Sequence, residues 1–109
     1  MTDKVVLLST CASPDEARRV ARGLVEKRLA ACVQISGAVT SIYRWQGKLE
    51  ESTEHGLIIK TSRALVDAVR LELERLHSYD LPELIALPIV DGSPNYLNWL
   101  ETELAGADA

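Results

Sequence analysis

The most reactive side chains in this sequence are two thiols, Cys11 and Cys32, and two imidazoles, His55 and His77. Thiolate and imidazole suit copper or zinc, whereas magnesium and calcium take oxygen ligands. Cys32 and His77 lie far apart in the chain and lack the internal spacing of a Cys-x-x-Cys motif, so only the fold can bring them to one site. Each also has a structural reading. Cys32 is a small apolar residue in a strand, and His77 ends a helix whose dipole favours its charge. Cys11 sits where a first strand meets a helix start and reads as an ordinary loop thiol; the alternative is a thiol whose pKa the positive dipole end there could lower. Glu50, Glu51, Glu54 and His55 follow along one strand. Glu51 with His55, or Glu50 with Glu54, could share a face as a weak carboxylate metal site, but solvated charges guarding an edge strand account for the run better. No Ser/His/Asp signature, phosphate-cradling glycine loop or paired acid/base motif is present. The expectation is a protein that is not an enzyme.

Phenylalanine is absent, and the five aromatic residues are Tyr43, Trp45, Tyr79, Tyr96 and Trp99. They avoid the first strand and the two long helical segments, which points to contact surfaces between subunits. The alternative is an aromatic-lined pocket between subunits, where Tyr79, Glu83 and Lys60 orient a small anionic or metal-bound ligand. With 109 residues, the chain makes one domain over 1–109. Its 47% hydrophobic and 26% charged residues exclude wholesale disorder. A net charge of −4 and a pI of about 5.1 leave no electrostatic footprint for nucleic acid. No apolar run approaches a membrane span, and Asp3 before Val5-Val6-Leu7-Leu8 reads as the approach to a first strand rather than a leader. Two cysteines make no disulfide framework, so a reduced, cytoplasmic protein is expected.

Lys4 to Thr10 reads as a buried strand. Ser13 then caps a helix with Pro14 at its first position and Glu16 closing a capping box. Ala17, Val20, Ala21, Leu24, Val25 and Leu29 form its apolar face, and it ends near Ala30. A long strand from about Cys32 to Trp45, a Gln46-Gly47 turn and a second long strand to about Thr61 make a hairpin far longer than ordinary strands. Strict alternation puts Val33, Ile35, Val39, Tyr43 and Trp45 on one face; a bulge at Gly37 would shift that register, which leaves the exposure of Cys32 open. Ser62 caps a second helix with Leu65, Val66, Val69, Leu73 and Leu76 on one face. His77 to Glu83 is a structured connection, Leu84 to Val90 a fourth strand that Pro88 places on an edge, and Ser93-Pro94 the start of a helix carrying Tyr96, Leu97, Trp99, Leu100 and Leu104. Ala105 to Ala109 reads as a frayed tail. The order βαββαβ plus a terminal α is that of an α+β, ferredoxin-like split βαβ fold with an antiparallel sheet and a long β-hairpin arm. A two-stranded arm is unstable alone, and one sheet face lacks helices, so the chain is expected to be an obligate oligomer.

Several stretches resemble the CutA family of divalent-cation tolerance proteins: Ala30-Ala31-Cys32-Val33, Ser41-Ile-Tyr43-Arg-Trp45-Gln-Gly47-Lys-Leu-Glu50, Glu54, Lys60-Thr61, His77-Ser-Tyr79-Asp-Leu-Pro82-Glu83 and Tyr96-Leu-Asn-Trp99. The family's His-Pro-Tyr-Glu stands here as His77-Ser78-Tyr79-Asp80, a less rigid loop with a shorter acid. The resemblance implies a cytoplasmic homotrimer knitted by its β-arms that binds copper or another divalent cation, with no metal required for folding. Carried over residue by residue, it implies Cys32 and His77 as metal ligands, with Cys11 a weaker third. Two other functions fit the same architecture: a regulator that senses a small ligand in inter-subunit clefts, as trimeric PII signal proteins do, and a structural or adaptor trimer.

Overall fold

From Lys4 to Cys11, buried and half-buried side chains alternate, because this strand (β1) carries helices on one face only. The computed structural model describes residues 2–106. It contains β1, α1 (Pro14–Glu26), β2 (Cys32–Trp45), β3 (Lys48–Ser62), a short 3-10 turn (Arg63–Leu65), α2 (Val66–Leu76), β4 (Ile85–Pro88) and α3 (Pro94–Glu103). The strands form one sheet in the order β2-β3-β1-β4 with every neighbouring pair antiparallel, the ferredoxin-like arrangement. Short β4 occupies the edge beside β1, where Pro88 does least harm. Val5, Leu7 and Cys11 from β1, and Leu57 and Ile59 from β3, pack with Ala17, Val20, Leu24, Val69 and Leu73 of the helices into one core. Leu100 and Leu104 of α3 form a smaller cluster with Ala31.

Helix α1 starts as its sequence dictates: Pro14 follows the cap, and the Ser13 hydroxyl accepts from the Glu16 amide at 3.1 Å. The Glu16 carboxylate turns to the Ala12 amide at 3.4 Å rather than closing a box on Ser13. The helix stops at Glu26, short of the expected Ala30. Arg28 takes φ 59°, a left-handed conformation, and its side chain donates to the Thr102 and Glu103 carbonyls at the end of α3. Beyond it, Leu29 drops against the core and Val25 is left exposed. Ala105 is also held, its amide donating to the Arg28 carbonyl at 2.7 Å. The rest of the expected tail, residues 107–109, lies outside the described residues.

The β2–β3 ribbon outruns the sheet. Its pairing continues to Trp45 opposite Lys48, while β1 covers β3 no further than Cys11 opposite His55. The uncovered part of β3, Lys48 to Glu54, extends about 23 Å, and the molecule measures 46 Å along its longest axis. Gln46 and Gly47 both take positive φ, 49° and 79°, the signature of a two-residue turn matched to strand twist. Val39, Ile42, Tyr43, Trp45 and Leu49 on this arm are all exposed.

The register does shift, between Ile35 and Ala38. Val33 and Ile35, opposite Ile59 and Leu57, belong to the helix-covered face. Val39, Tyr43 and Trp45 belong to the other, so the single face expected from strict alternation is divided. Gly37 marks the shift but does not fix it. Ser36 does: its hydroxyl accepts the Gly56 amide at 2.7 Å and donates to the Gly37 carbonyl at 2.9 Å. A Cβ on Gly37 would meet no atom within 4 Å, whereas one on Gly56 would lie 2.9 Å from the Ser36 hydroxyl. Ser36→Ala is therefore expected to cost about 1 kcal/mol in chemical denaturation at fixed protein concentration, with Gly37→Ala close to neutral. The reverse ranking would mean that glycine, not the hydroxyl, sets the bulge.

Candidate functional site

The C-terminal end of α2 delivers His77 to the end of β1. Its amide donates to the Leu73 carbonyl at 2.9 Å as the helix closes. The ring is fully buried, and both nitrogens are engaged. Nε2 lies 2.6 Å from the Thr10 carbonyl, and Nδ1 lies 3.0 Å from the Tyr79 amide. A carbonyl only accepts and an amide N–H only donates, so the ring carries its hydrogen on Nε2 and offers a lone pair at Nδ1. His77 thus ties the 77–83 connection to the sheet, and its ring packs at 4.6 Å on the ring of Tyr79.

Beside it lie Cys11 and Glu16. The potential ligand atoms of Cys11, Glu16 and His77 all fall within 4.8 Å of one another, the one such group among the described residues. Glu16 Oε1 is 3.7 Å from His77 Nδ1. Burial pushes the Glu16 carboxyl up, but hydrogen bonds from the Ser78 side chain and the Ala12 amide outweigh that, so its pKa falls below the usual value. Cys11 differs from expectation. It is the last residue of β1, wholly buried, and burial together with the Glu16 carboxylate pushes its thiol up to about 12 rather than down.

Cys32 is elsewhere. It opposes Lys60 on β3, whereas Thr10, which holds His77, opposes Gly56. Four ladder steps, about 13 Å, separate the two places, so within one chain Cys32 does not join His77. Lys60 is likewise remote from the Tyr79 loop. Its Nζ donates to the Tyr96 hydroxyl at 3.1 Å and stands 5.3 Å from that ring's centre. Tyr96 pairs with Trp99 at 5.6 Å, and both are about two-fifths exposed on α3.

A cleft of about 340 Å³ opens on the helix-free side of the sheet. It gathers Tyr43 and Trp45 from β2, Glu54 from β3, and Tyr79, Asp80 and Glu83 from the 77–83 connection. Thus Tyr43, Trp45, Tyr79 and Glu83 meet as the sequence allowed, but without Lys60. Glu54, read from sequence as a solvated arm charge, is only 8% exposed and accepts the Tyr79 hydroxyl at 2.9 Å. Burial raises its pKa, but hydrogen bonds from Ser41, Tyr79 and Thr10 prevail and lower it. Burial and the Glu54 hydrogen bond raise that of Tyr79, which stays a neutral donor. Sequence reasoning missed Glu16 as a partner of Cys11 and Glu54 as a partner of Tyr79.

These features define a small ferredoxin-like domain with a thiol–carboxylate–imidazole cluster at one end of its first strand and an acidic, aromatic cleft beside it. Residues 5–103 match the family model described as CutA1 divalent ion tolerance protein. A relative from Thermus thermophilus, a divalent-cation tolerance protein CutA, is 46% identical over 87% of this chain and 92% of its own length. A CutA homolog from Xenopus laevis is 48% identical over 84% of this chain, which spans only 60% of that longer protein. The crystal structure of CutA from Xylella fastidiosa superposes with a TM-score of 0.92 at 44% identity, covering 94% of this chain and 99% of that one. The chain belongs to the CutA1 divalent ion tolerance family.

The Glu16 and Glu54 carboxyls have folded pKa values below the ordinary glutamate value of 4.5. Their contribution to stability is therefore complete above about pH 4.5 and lost as pH falls through the folded values. The gap in melting temperature between the unaltered protein and Glu54→Gln should hold constant from pH 6 to about pH 4.5 and shrink below it. A gap independent of pH would mean that the carboxylate is not ionised in the folded state.

Proposed function

We propose that this protein is a non-enzymatic, cytoplasmic homotrimer that binds copper or a similar divalent cation. The observation that carries the metal reading is the convergence of Cys11, Glu16 and His77. Sulfur, imidazole and carboxylate donors together suit copper or zinc. Capture must displace the thiol proton of Cys11, whose pKa is near 12, and compete with the Tyr79 amide for His77 Nδ1. Affinity therefore rises with pH. Both thiols are free, the state that a reducing cytoplasm maintains. Calorimetry of the reduced, metal-free protein with copper and glutathione as competitor is the test. Cys11→Ala should weaken binding at least about tenfold, with Cys32→Ala close to silent. If Cys32→Ala is the damaging change, the ligands come together between chains instead. Binding that does not survive the competitor would end the metal reading.

The trimer reading is supported by apolar surface that the single chain leaves uncovered. Ile58, Ile85 and Leu87 on the helix-free sheet face, Tyr43 and Trp45 on the arm, and Tyr96 and Trp99 on α3 are each more than a third exposed. In sedimentation velocity, the protein should run at three times its 12.0 kDa chain mass, and Ile58→Lys should shift it toward monomer by placing a charge in the contact. A monomeric unaltered protein would rule the assembly out.

A second reading, small-ligand sensing, is favoured by the cleft, whose volume falls in the range of about 300–1,000 Å³ typical of ligand pockets.

A further inference from the structure

The cleft has a chemical character that neither metal binding nor an anionic ligand explains. Three aromatic rings, Tyr43, Trp45 and Tyr79, share its walls with three carboxylates, Glu54, Asp80 and Glu83, and among the described residues no lysine, arginine or histidine lines it. The Tyr79 ring is held from both sides, packed on His77 and bonded through its hydroxyl to Glu54. Tyr43 accepts a hydrogen bond from the Ser52 hydroxyl at 3.3 Å. Tyr43 and Tyr79 are thus held before any ligand arrives. An anion entering here would meet only like charge and the negative faces of the rings. A bare metal ion is also a poor match. The carboxylates ring a volume instead of converging, since Cys11–Glu16–His77 is the one group of three potential ligands that close together among the described residues. A positive charge spread over several carbon and hydrogen atoms fits both halves of the lining: ring faces attract it, and surrounding carboxylates neutralise it without stripping water from a point charge.

We infer that this cleft binds a small organic cation, a substituted or quaternary ammonium compound, between Tyr43, Trp45 and Tyr79 on one side and Glu54, Asp80 and Glu83 on the other. This rests on the reading of the cleft as a ligand site and assigns the ligand its class. The net charge of −4 favours approach of such a cation from solution. Asp80 and Glu83 lie at the exposed rim and Glu54 at the buried floor, so the cation meets the outer carboxylates first.

The test is calorimetry on the assembled, metal-free protein with four probes: choline, spermidine, ATP, and 3,3-dimethylbutan-1-ol, the neutral analogue of choline. Choline or spermidine should bind, the neutral analogue at least about tenfold more weakly than choline, and ATP not at all. Glu83→Gln and Asp80→Asn, both at exposed positions outside the proposed subunit contacts, should each weaken the cation several-fold without changing the melting temperature of the free protein. If the neutral analogue matches choline, or ATP binds and neither cation does, the cation assignment fails while the cleft remains a ligand site. If none of the four binds, both fail.

Discussion

A two-stranded ribbon has two edges of unpaired backbone and no second layer to bury its side chains, so it cannot stand in water on its own. Here β2 and β3 pair from Cys32 opposite Lys60 as far as Trp45 opposite Lys48, and only the inner half of β3 is covered by β1. The same exposure recurs on the sheet face that the helices leave bare, in Ile58, Ile85 and Leu87. Both requirements have one solution, burial against more protein, and the chain concentrates its large exposed side chains where that burial is needed. The core beneath α1 and α2 is ordinary by comparison. It holds the sheet in place, but it does not decide what the sheet is for.

The ribbon also organises the cleft. Tyr43 and Trp45 face it only because the bulge at Ser36 and Gly37 moves the outer half of β2 onto the opposite phase from Val33 and Ile35. Without the extra residue, both aromatics would follow Val33 toward the helices, and the cleft would lose one wall. Ser36 stabilises that choice by taking the Gly56 amide that an unbroken ladder would have paired. One hydroxyl in the bend therefore determines the side on which the aromatic chemistry appears.

What was legible in the sequence follows from how local its cause is. Ser13-Pro14 fixes the start of α1 through contacts within one turn, and Gln46-Gly47 fixes the hairpin through its own backbone angles, so both could be read directly. The end of α1 could not. Arg28 leaves the helix with support from carbonyls of Thr102 and Glu103, residues distant in sequence. Burial of Glu54 was hidden for the same reason: its neighbours along β3 are charged and polar, and the group that encloses it, Tyr79, arrives from the connection after α2. Cys11, Glu16 and His77 each carried a signal, as a thiol, a capping acid and a helix-ending imidazole. Their meeting depends on α2 docking its C-terminus over the end of β1, which no spacing encodes. Cys11, read from sequence as an ordinary loop thiol, is instead the wholly buried end of β1, and burial raises its pKa.

The cluster and the cleft are not independent. His77 Nδ1 accepts from the Tyr79 amide, and the hydroxyl of the same residue donates to Glu54 on the cleft floor. A cation taken up at Nδ1 must break the first of these bonds. The Tyr79 backbone is then free to move, and the Tyr79 ring with it, because the ring packs on the imidazole at 4.6 Å. Conversely, a ligand that presses on the Tyr79 ring or competes for Glu54 loads the same amide. Two sites that share one residue have a physical route for coupling, and linkage makes any such coupling reciprocal. The 77–83 connection is suited to transmit it: it is pinned to the sheet by His77 at one end and by the Ser9 hydroxyl donating to the Glu83 carbonyl at 2.7 Å at the other. Between those pins stands Ser78, whose side chain and backbone both hydrogen-bond the Glu16 carboxylate and so join the connection to the cluster.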